Sequence, residues 1–245
     1  MLSLVIVIVL SYLVGAFPTA LLIGKHFKGI DPREFGSKNM GSTNAIRIFG
    51  WKYGLLVQAI DVGKGIIATL LISKIFYGAL PFENWTPFED MTLVQIIAGL
   101  SAVVGHVWTV FAGFKGGKGI NTAAGMLLSL APVDAIISIG IFILVVFASG
   151  YVSLGSITAA FAFPLVLFLR ENIFKVEING YHTLIYFSIA VCLFLIYNHR
   201  ANIKRLLYGE ESRFEKWWKI RLIKIKAPFQ RAKNKEQRED KKLSE

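Results

Sequence analysis

Long apolar segments, each close to the length that a helix needs to cross a bilayer, restrict the fold of this sequence more than any other feature. A helix that crosses the hydrocarbon core needs about 20 predominantly apolar residues. Of the 245 residues, 54% are hydrophobic and 18% are charged, and the mean hydropathy is +0.56. These values exceed those of soluble domains of this size. The chain is therefore predicted to be an all-α, polytopic membrane protein.

The apolar segments predict a bundle of about seven membrane spans. They cover residues 2–24, 54–77, 93–114, 119–130, 133–149, 152–169 and 181–197. The fourth is too short to cross upright, so we expect a tilted or half-length helix there. Six or eight crossings remain alternatives.

The distribution of Lys and Arg predicts the orientation of the bundle. The first long loop carries six basic residues, the third carries Lys115 and Lys118, and the segment from residue 198 onward carries fifteen. The loop after the second span is acidic, and no basic residue precedes the first span, unlike in a cleavable signal. Because basic loops stay in the cytoplasm, we expect the N-terminus outside and the C-terminus cytoplasmic.

Residues 212–245 are predicted to form a separate basic tail, amphipathic at first and then partly disordered. Bulky residues recur there at helical spacing among Lys and Arg: Phe214, Trp218, Leu222, Ile225 and Phe229. This pattern is typical of a helix lying on an anionic leaflet. More than half of the basic residues behind the net charge of +11 lie in the last 48 positions. The lipid bilayer, and not a nucleic acid, is therefore the expected partner.

Three polar stretches interrupt the apolar pattern, and the predicted topology places all three on one membrane face. They read GSKNMGSTNAIR at residues 36–47, FKGGKG at 114–119 and YNHRANIKRL at 197–206. Singly, each has an ordinary explanation as a capped turn, a positive connector or a His-Arg pair at the interface. Together they supply glycine backbones, helix N-termini and at least four positive charges, which predicts an oxyanion site, most plausibly for phosphate.

The glycine-lysine stretch is the expected phosphate loop. Gly116, Gly117 and Gly119 are expected to let backbone N–H groups approach phosphate oxygens, and Lys118 adds charge. A nucleotide P-loop does not fit, because Ala112 and Gly119 occupy positions that require glycine and a hydroxyl residue. No metal-ligand spacing or nucleophile elbow is present, and the single cysteine, Cys192, excludes a disulfide framework. No cofactor or metal is therefore predicted.

These motifs resemble those of the bacterial acyl-phosphate:glycerol-3-phosphate acyltransferases of the PlsY type. The resemblance rests on GSKNMGSTNAIR, on Asp61-x-x-Lys64-Gly65, on GHVWTVFAGFKGGKG and on HRANIKRLLYGEE, in order, and it covers most of residues 1–211. It implies a seven-helix acyltransferase domain that makes lysophosphatidic acid from glycerol 3-phosphate and a fatty acyl phosphate. It also implies a separate enzyme that supplies the acyl phosphate. The family's first motif usually has glycine and alanine where this chain has Lys38 and Ser42.

The resemblance and the charge pattern together assign roles to the polar residues. Because the reaction brings two phosphorylated substrates together, cations must offset their repulsion. The expected cations are Arg47, Lys118 and Lys115. The expected neutral donors that bind substrate are Ser37, Asn39, Thr43 and Asn44, beside Gly116 and Gly117. The acyl chain is expected to enter a groove that opens sideways into the bilayer.

His199 and Asn202 complete the expected catalytic set with Arg47 and Lys118. His199 either orients the substrate hydroxyl by hydrogen bonding, together with Asn202, or deprotonates it as a general base. His106 is expected to form a buried hydrogen bond between helices, and Glu210 and Glu211 are expected to be solvated.

Asp61 is expected to position Lys64 or a loop amide, because an ionisable group within a span is costly unless it is paired. Lys64 either contributes charge to the site or pairs with Asp61. A transporter of phosphorylated solutes is the alternative function, although no internal repeat is visible. A lipid-binding scaffold explains the tail but not the three polar stretches.

Overall fold

The protein is a bundle of helices in the computed structural model, which describes residues 1–86, 89–178 and 181–213. Within these ranges there are ten α-helices and no strand. Residues 214–245 lie outside the described residues. The amphipathic tail helix around Phe214, Trp218, Leu222, Ile225 and Phe229 therefore stays a prediction.

The first half of the chain contains five α-helices. They are α1 (Leu2–Ala16), α2 (Thr19–Lys28), α3 (Ser42–Phe49), α4 (Trp51–Ile66) and α5 (Asp90–Val107). A π-helical turn (Ile67–Leu71) and a 3-10 turn (Ile72–Ile75) extend α4, and a 3-10 turn (Val110–Ala112) follows α5. The α1–α2, α4 and α5 segments are each long and apolar enough to cross a membrane.

The second half contains the other five α-helices. They are α6 (Ile120–Leu130), α7 (Pro132–Ser149), α8 (Val152–Phe168), α9 (Tyr181–Asn198) and α10 (Arg200–Leu207), and a π-helical turn (Leu169–Ile173) extends α8. The α7, α8 and α9 segments are the other three candidate spans. The remaining predicted span is α6, whose 11 residues measure only about 16 Å at 1.5 Å per residue. The expectation of a half-length helix is confirmed.

The first span is broken where α1 meets α2, which the sequence prediction treated as continuous. Pro18 has no N–H to continue the hydrogen-bond ladder, and it holds Phe17 away from helical geometry (ψ 116°). The break leaves two carbonyl groups without helical partners. The ammonium of Lys64 donates to the Phe17 carbonyl at 2.6 Å, and the Thr109 hydroxyl donates to the Ala16 carbonyl. Neighbouring helices therefore satisfy the backbone where lipid cannot.

The two ends of the described chain lie at opposite ends of the bundle. Near the N-terminus, the Ser3 hydroxyl donates to the Tyr77 carbonyl at 2.8 Å, just beyond the second span. At the other end, the Arg213 side chain donates to the Ser149 carbonyl at 3.0 Å, between α7 and α8. This arrangement agrees with an odd number of crossings, in which α6 counts as one.

Glycines bring α4 and α6 into backbone contact at the centre of the bundle. A Cβ atom at Gly65 would collide with the Thr122 carbonyl, and one at Gly125 would collide with the Val62 carbonyl. Small residues at such contacts are typical of helices that pack in a membrane. Because α6 is held here, its N-terminus points toward the end of the bundle where the polar stretches meet.

Candidate active site

A cavity of about 440 Å³ lies among the helices, and residues of all three polar stretches line one end of it. We call that part the polar end and the part between α4, α6, α7, α8 and α9 the apolar groove. Leu55 of α4 and Ile143 of α7 line the cavity, and 52% and 45% of these two residues are exposed. The groove that the sequence could not locate therefore opens sideways between α4 and α7.

Asn44 fixes the loop that precedes α3. Its Oδ1 accepts a hydrogen bond from the Ser37 N–H at 2.9 Å. Its Nδ2 donates to the carbonyl groups of Asn39 and Phe35, at 2.9 and 3.1 Å. With only 1% of Asn44 exposed, its amide is used within the loop. Asn44 lines the cavity, but its hydrogen-bonding groups already hold the backbone around the site, so direct binding of a substrate by Asn44 stays a prediction.

The other polar residues of this stretch face the cavity. Ser37, Asn39 and Thr43 line its polar end, where the sequence predicted them to bind substrate. Asn39 also accepts the Gly41 N–H at 2.9 Å, which shapes the turn into α3. Lys38 adopts φ +57°, the left-handed conformation that glycine takes most easily. Its N–H donates to the Phe35 carbonyl at 3.0 Å, so it is already paired within the loop.

Two helix N-termini meet at the polar end. The amide of Asn121, in the first turn of α6, donates to the hydroxyl of Ser42, in the first turn of α3, at 3.0 Å. Gly41 and Gly119 precede these helices, and no described side chain caps either first turn. Uncapped first turns leave N–H groups without partners at the positive end of each helix dipole. Two such ends beside one cavity form a site suited to an anion.

The backbone of Gly116 and Gly117 does not form the expected phosphate cradle. The Gly116 N–H donates to the Val107 carbonyl and the Gly117 N–H donates to the His106 carbonyl, both at 3.0 Å. A Cβ at Gly117 would collide with the His106 ring, so the glycines allow the loop to lie against the end of α5. Neither glycine lines the cavity, and Lys115 is exposed beyond it. These three residues shape the loop without lining the cavity, so their binding of substrate stays a prediction.

Lys118 and Arg47 supply positive charge to the polar end, and both line the cavity. Burial lowers the pKa of Lys118 to about 8; nearby Glu211 raises it, while Arg205 and Arg47 lower it further. Burial also lowers the pKa of Arg47, whose guanidinium donates to the Ser212 carbonyl at 3.0 Å. In the described part of the chain, the Lys118 ammonium has neither an ion-pair nor a hydrogen-bond partner. A bound anion would relieve the unfavourable burial of both charges.

His199, between α9 and α10, lines the same end of the cavity. Its Nδ1 lies 2.8 Å from the Leu195 carbonyl, and because a carbonyl only accepts, Nδ1 carries the proton there. Burial, and then the charge of Lys118, lower the pKa of His199 to about 4, against the opposing hydrogen bond to Leu195. The imidazole is therefore neutral near pH 7, with its lone pair on Nε2.

Asn202 and Glu211 lie together beside His199. The Asn202 amide donates to the Glu211 carboxylate at 2.9 Å, and Arg205 Nε donates to the other carboxylate oxygen at 2.7 Å. Burial opposes ionisation of Glu211, but these two hydrogen bonds outweigh it and lower its pKa. The expectation that Glu211 is solvated is wrong, since only 6% of its side chain is exposed. No local pattern in the sequence indicates that the chain turns back after Gly209.

Two buried polar atoms at the polar end have no close hydrogen-bond partner among the described residues. They are the Asn202 Oδ1 and the Ser153 hydroxyl, of which the second is near enough to Glu211 to help lower the pKa of that carboxyl. Buried polar atoms are normally paired, so a ligand or water is their expected partner. Ser153, in the first turn of α8, was missed because it lies inside an apolar run, where a lone serine carries no signal.

Asp61, Lys64 and His106 form a second charged group, deeper between the helices. The Lys64 ammonium lies 2.6 Å from the Asp61 carboxylate, and 4% and 2% of these side chains are exposed. The Thr19 hydroxyl also donates to Asp61 at 3.1 Å. His106 lies 3.8 Å from Asp61, beyond hydrogen-bond distance, so the expected helix-to-helix hydrogen bond is not formed. The pairing of Asp61 with Lys64 is confirmed, and Lys64 does not line the cavity.

No three His, Cys, Asp or Glu side chains lie together as metal ligands within residues 1–86, 89–178 and 181–213.

The chain is similar to known proteins over most of its length. A family model described as glycerol-3-phosphate acyltransferase matches residues 5–209. A protein named glycerol-3-phosphate acyltransferase from Chlorobium phaeobacteroides (strain DSM 266) is 48% identical over 233 residues, 88% of this chain and 98% of that protein. One of the same name from Chlorobaculum tepidum is 48% identical over 228 residues, 87% of this chain and 97% of that protein.

Two solved structures also resemble this one. The crystal structure of PlsY, an integral membrane glycerol 3-phosphate acyltransferase, in its glycerol 3-phosphate form has a TM-score of 0.71 and 37% identity. Its lysophosphatidic acid form has a TM-score of 0.69 and 36% identity. Each comparison covers 87% of this chain and 96% of the other. All site residues predicted from the sequence lie within the matched residues 5–209.

Proposed function

Because the chain belongs to the glycerol-3-phosphate acyltransferase family, we propose that it acylates the 1-hydroxyl of sn-glycerol 3-phosphate from a fatty acyl phosphate. The products are lysophosphatidic acid and inorganic phosphate, in the first acylation step of phospholipid synthesis. The observation that carries this proposal is a cavity with Arg47, Lys118 and two helix N-termini at one end and an apolar groove at the other. This shape matches a donor with a phosphate head and a fatty tail.

Electrostatic stabilisation is the main task of the polar end. Two phosphorylated reactants repel each other strongly when they share a cavity of low dielectric. Lys118, Arg47 and the N–H groups of α3 and α6 offset that repulsion and stabilise charge on the departing phosphate. Ser37, Asn39, Thr43 and Ser153 add neutral donors around the phosphate groups. This arrangement holds the glycerol hydroxyl close to the acyl carbonyl.

The reaction itself is an acyl transfer from a mixed anhydride. The glycerol hydroxyl oxygen attacks the acyl carbonyl carbon, a new ester C–O bond forms, and the bond from that carbon to the phosphate oxygen breaks. The phosphate leaves with the electron pair of the broken bond. The hydroxyl proton ends on the phosphate, whose second pKa of about 6 makes it a stronger base than His199 with its pKa of about 4.

His199 and Asn202 then orient the attacking hydroxyl. The His199 Nε2 lone pair accepts the hydroxyl hydrogen bond, since Nδ1 is held by the Leu195 carbonyl. The unpaired Oδ1 of Asn202 offers a second acceptor. Glu211 keeps the Asn202 amide in place through its 2.9 Å hydrogen bond. The buried neutral imidazole favours orientation over general-base catalysis.

The polar end is proposed to face the cytoplasm, with the N-terminus outside. The loop of residues 25–52 and the segment from residue 198 onward carry most of the Lys and Arg residues, as cytoplasmic loops do. A cytoplasmic site would receive acyl phosphate from a separate enzyme that makes it. In cells, with Cys192 first replaced by Ala, a cysteine introduced at Lys52 should resist an impermeant thiol reagent, and one at Tyr77 should react. The reverse pattern would contradict this orientation without affecting the reaction.

The reaction is tested directly with purified protein in lipid nanodiscs. Acyl phosphate and glycerol 3-phosphate, without ATP or an ion gradient, should yield equal amounts of lysophosphatidic acid and inorganic phosphate, measured by mass spectrometry and a phosphate assay. The matched control is Lys118→Ala, which should form both products about 10³-fold more slowly while keeping the native elution volume. Absence of acylated product, with uptake of glycerol 3-phosphate into sealed proteoliposomes, would overturn the proposal and support the transporter alternative.

A further inference from the structure

The apolar groove extends far from the polar end before it closes. On α7 its lining runs from Val146 to Ala135, and on α8 it runs from Val152 to Phe163. Each distance corresponds to 11 residues, or about 16 Å at 1.5 Å per residue. The hydrocarbon core of a bilayer is about 30 Å thick. The groove therefore enters deeply among the helices but ends before the opposite membrane face.

The closed end of the groove is formed by buried residues of three helices. Ala135 of α7, Phe163 of α8 and Ser188 of α9 line it, with 3%, 3% and 1% of each residue exposed. The Ser188 hydroxyl donates to the Ile185 carbonyl within its own helix at 2.7 Å, so it presents no free donor. The closed end is therefore compact and suited to an apolar group.

An ion pair ties α7 to the extension of α8 near this closed end. Asp134, adjacent to Ala135, accepts a hydrogen bond from Arg170 at 2.7 Å, and 4% of the Asp134 side chain is exposed. Because separating a buried ion pair is strongly unfavourable, the pair resists movement of α7 away from α8. The helices that form the closed end are therefore held together.

We propose that the closed end formed by Ala135, Phe163 and Ser188 holds the terminal methylene groups of the donor and sets the longest acyl chain that the enzyme uses efficiently. This inference rests on the proposed function. The donor phosphate is fixed by cations and helix N-termini at the polar end, so chain length alone decides how far the tail reaches. Close-packed interiors tolerate added volume poorly, and this makes a fixed end selective.

The test measures kcat/KM for saturated acyl phosphates of increasing length with wild-type protein and Ala135→Phe. The added ring fills the closed end, so the variant should keep wild-type kcat/KM with short donors and lose activity with long ones. Each methylene that the groove can no longer hold should cost about fourfold. The KM for glycerol 3-phosphate should not change, since that substrate binds at the polar end. A uniform loss at every chain length, or an unchanged profile, would overturn the inference.

Two further variants isolate the effect of the closed end. Ile136→Phe adds the same ring one residue along α7, where the side chain is 61% exposed on the outer surface, and should leave the chain-length profile unchanged. Phe163→Ala enlarges the closed end and should move the optimum toward longer donors. It tests the inference even if Ala135→Phe does not fold. If the preferred donor length is unchanged in Phe163→Ala, the closed end does not limit the acyl-chain length.

Failure of this inference can be told apart from failure of the proposed function. If wild-type protein forms no lysophosphatidic acid from any acyl phosphate, the proposed function is wrong and the inference fails with it. If wild-type protein is active but the variants keep its chain-length profile, only the inference that the closed end limits the acyl-chain length is wrong.

Discussion

Two lysines of this protein are buried in different ways: one is paired within the helix bundle, and the other lies at the polar end of the cavity. Lys64 donates to the Asp61 carboxylate and to the Phe17 carbonyl, both at 2.6 Å. Lys118 lies at the polar end of the cavity, where burial lowers its pKa to about 8. The protein itself pairs Lys64 with a carboxylate, whereas the Lys118 ammonium has no ion-pair or hydrogen-bond partner among the described residues, although Glu211 lies near enough to raise its pKa.

The backbone around Lys64 is regular, whereas the backbone near the polar end contains strained residues. Asp61 and Lys64 lie on one regular helix, α4, which packs closely against α6. Around the polar end, Lys38 and Phe114 adopt left-handed φ values of +57° and +58° although neither is glycine. Residues at binding sites often hold such conformations at a cost in stability. The fold therefore pairs the ionised groups of its core directly, whereas at the polar end it keeps Lys118 buried without a direct partner among the described residues.

The largest expected effect is on catalysis at Lys118. Lys118→Ala should lower kcat/KM by about 10³-fold, because it removes positive charge where charge develops on the departing phosphate. Lys115→Ala, in the same loop but exposed outside the cavity, should lower it by no more than about fivefold. The measurement is the initial rate of lysophosphatidic acid formation for both variants. Equal losses would mean that both lysines face the substrate.

Substitution of Lys64 in the Asp61–Lys64 pair should change the stability of the protein. Lys64→Met leaves the Asp61 charge uncompensated and should reduce the free energy of unfolding by about 3–5 kcal/mol. The double variant Asp61→Leu/Lys64→Met should recover most of that loss, and Lys118→Met should not destabilise the protein at all. Thermal unfolding in detergent, followed by tryptophan fluorescence, gives the comparison. A stable Lys64→Met protein would show that the pair is not structural.

His199 should affect the rate of acyl transfer but not the fall of that rate toward acidic pH. His199→Ala should lower kcat by about 10²-fold, since the variant no longer orients the attacking hydroxyl. Because the pKa of His199 is about 4, the fall of activity toward acidic pH should reflect the substrate phosphates and persist in the variant. The pH-rate profiles of both proteins test this. Loss of the acidic limb in His199→Ala would instead establish His199 as the general base.

The fall of kcat/KM toward alkaline pH should reflect deprotonation of Lys118. Its pKa of about 8 means that the charged form predominates at pH 7 and is lost as the pH rises through 8. The kcat/KM for glycerol 3-phosphate should therefore fall about tenfold for each further pH unit. In Lys118→Arg, which stays charged, the limb should move to higher pH. A limb that remains near pH 8 in Lys118→Arg would belong to another group.

The smallest expected effect is on the backbone of the loop before α3. Lys38→Gly should raise the free energy of unfolding by about 0.5–1 kcal/mol, because glycine adopts the left-handed conformation without steric cost. This gain already allows for the greater freedom of glycine in the unfolded chain. Thermal unfolding measures it, with Lys52→Gly as a control in which a helical residue should lose stability. Destabilisation by Lys38→Gly would show that the lysine side chain compensates for its strained backbone.

Many features could be predicted from the sequence because they depend on local composition. Apolar length predicted six long spans and the half-length α6, and the motif resemblance to the glycerol-3-phosphate acyltransferases is confirmed. The break of the first span at Pro18 was not predicted, because apolar length alone indicates a continuous helix there. Pairing of Asp61 with Lys64 was one of the two alternatives that the sequence left open, and the structure forms it.

Other features could not be predicted, because they depend on which distant atoms meet. Glycine content suggested a phosphate cradle at Gly116 and Gly117, but their N–H groups are bonded to the end of α5. The chain after Gly209 turns back to bury Glu211 against Asn202, a contact that no local pattern encodes. Ser153 lines the cavity because α8 packs beside the polar end, and its position in an apolar run does not indicate this.

The residues alone were enough to predict a membrane bundle and the polar stretches that line its cavity, because hydropathy and charge are properties of the residues themselves. The packing of the helices was needed to establish which hydrogen-bonding groups still face the cavity, where the groove opens and where it closes. Those outcomes depend on how helices far apart in sequence pack, and packing uses up some donors and acceptors while it leaves others for a ligand.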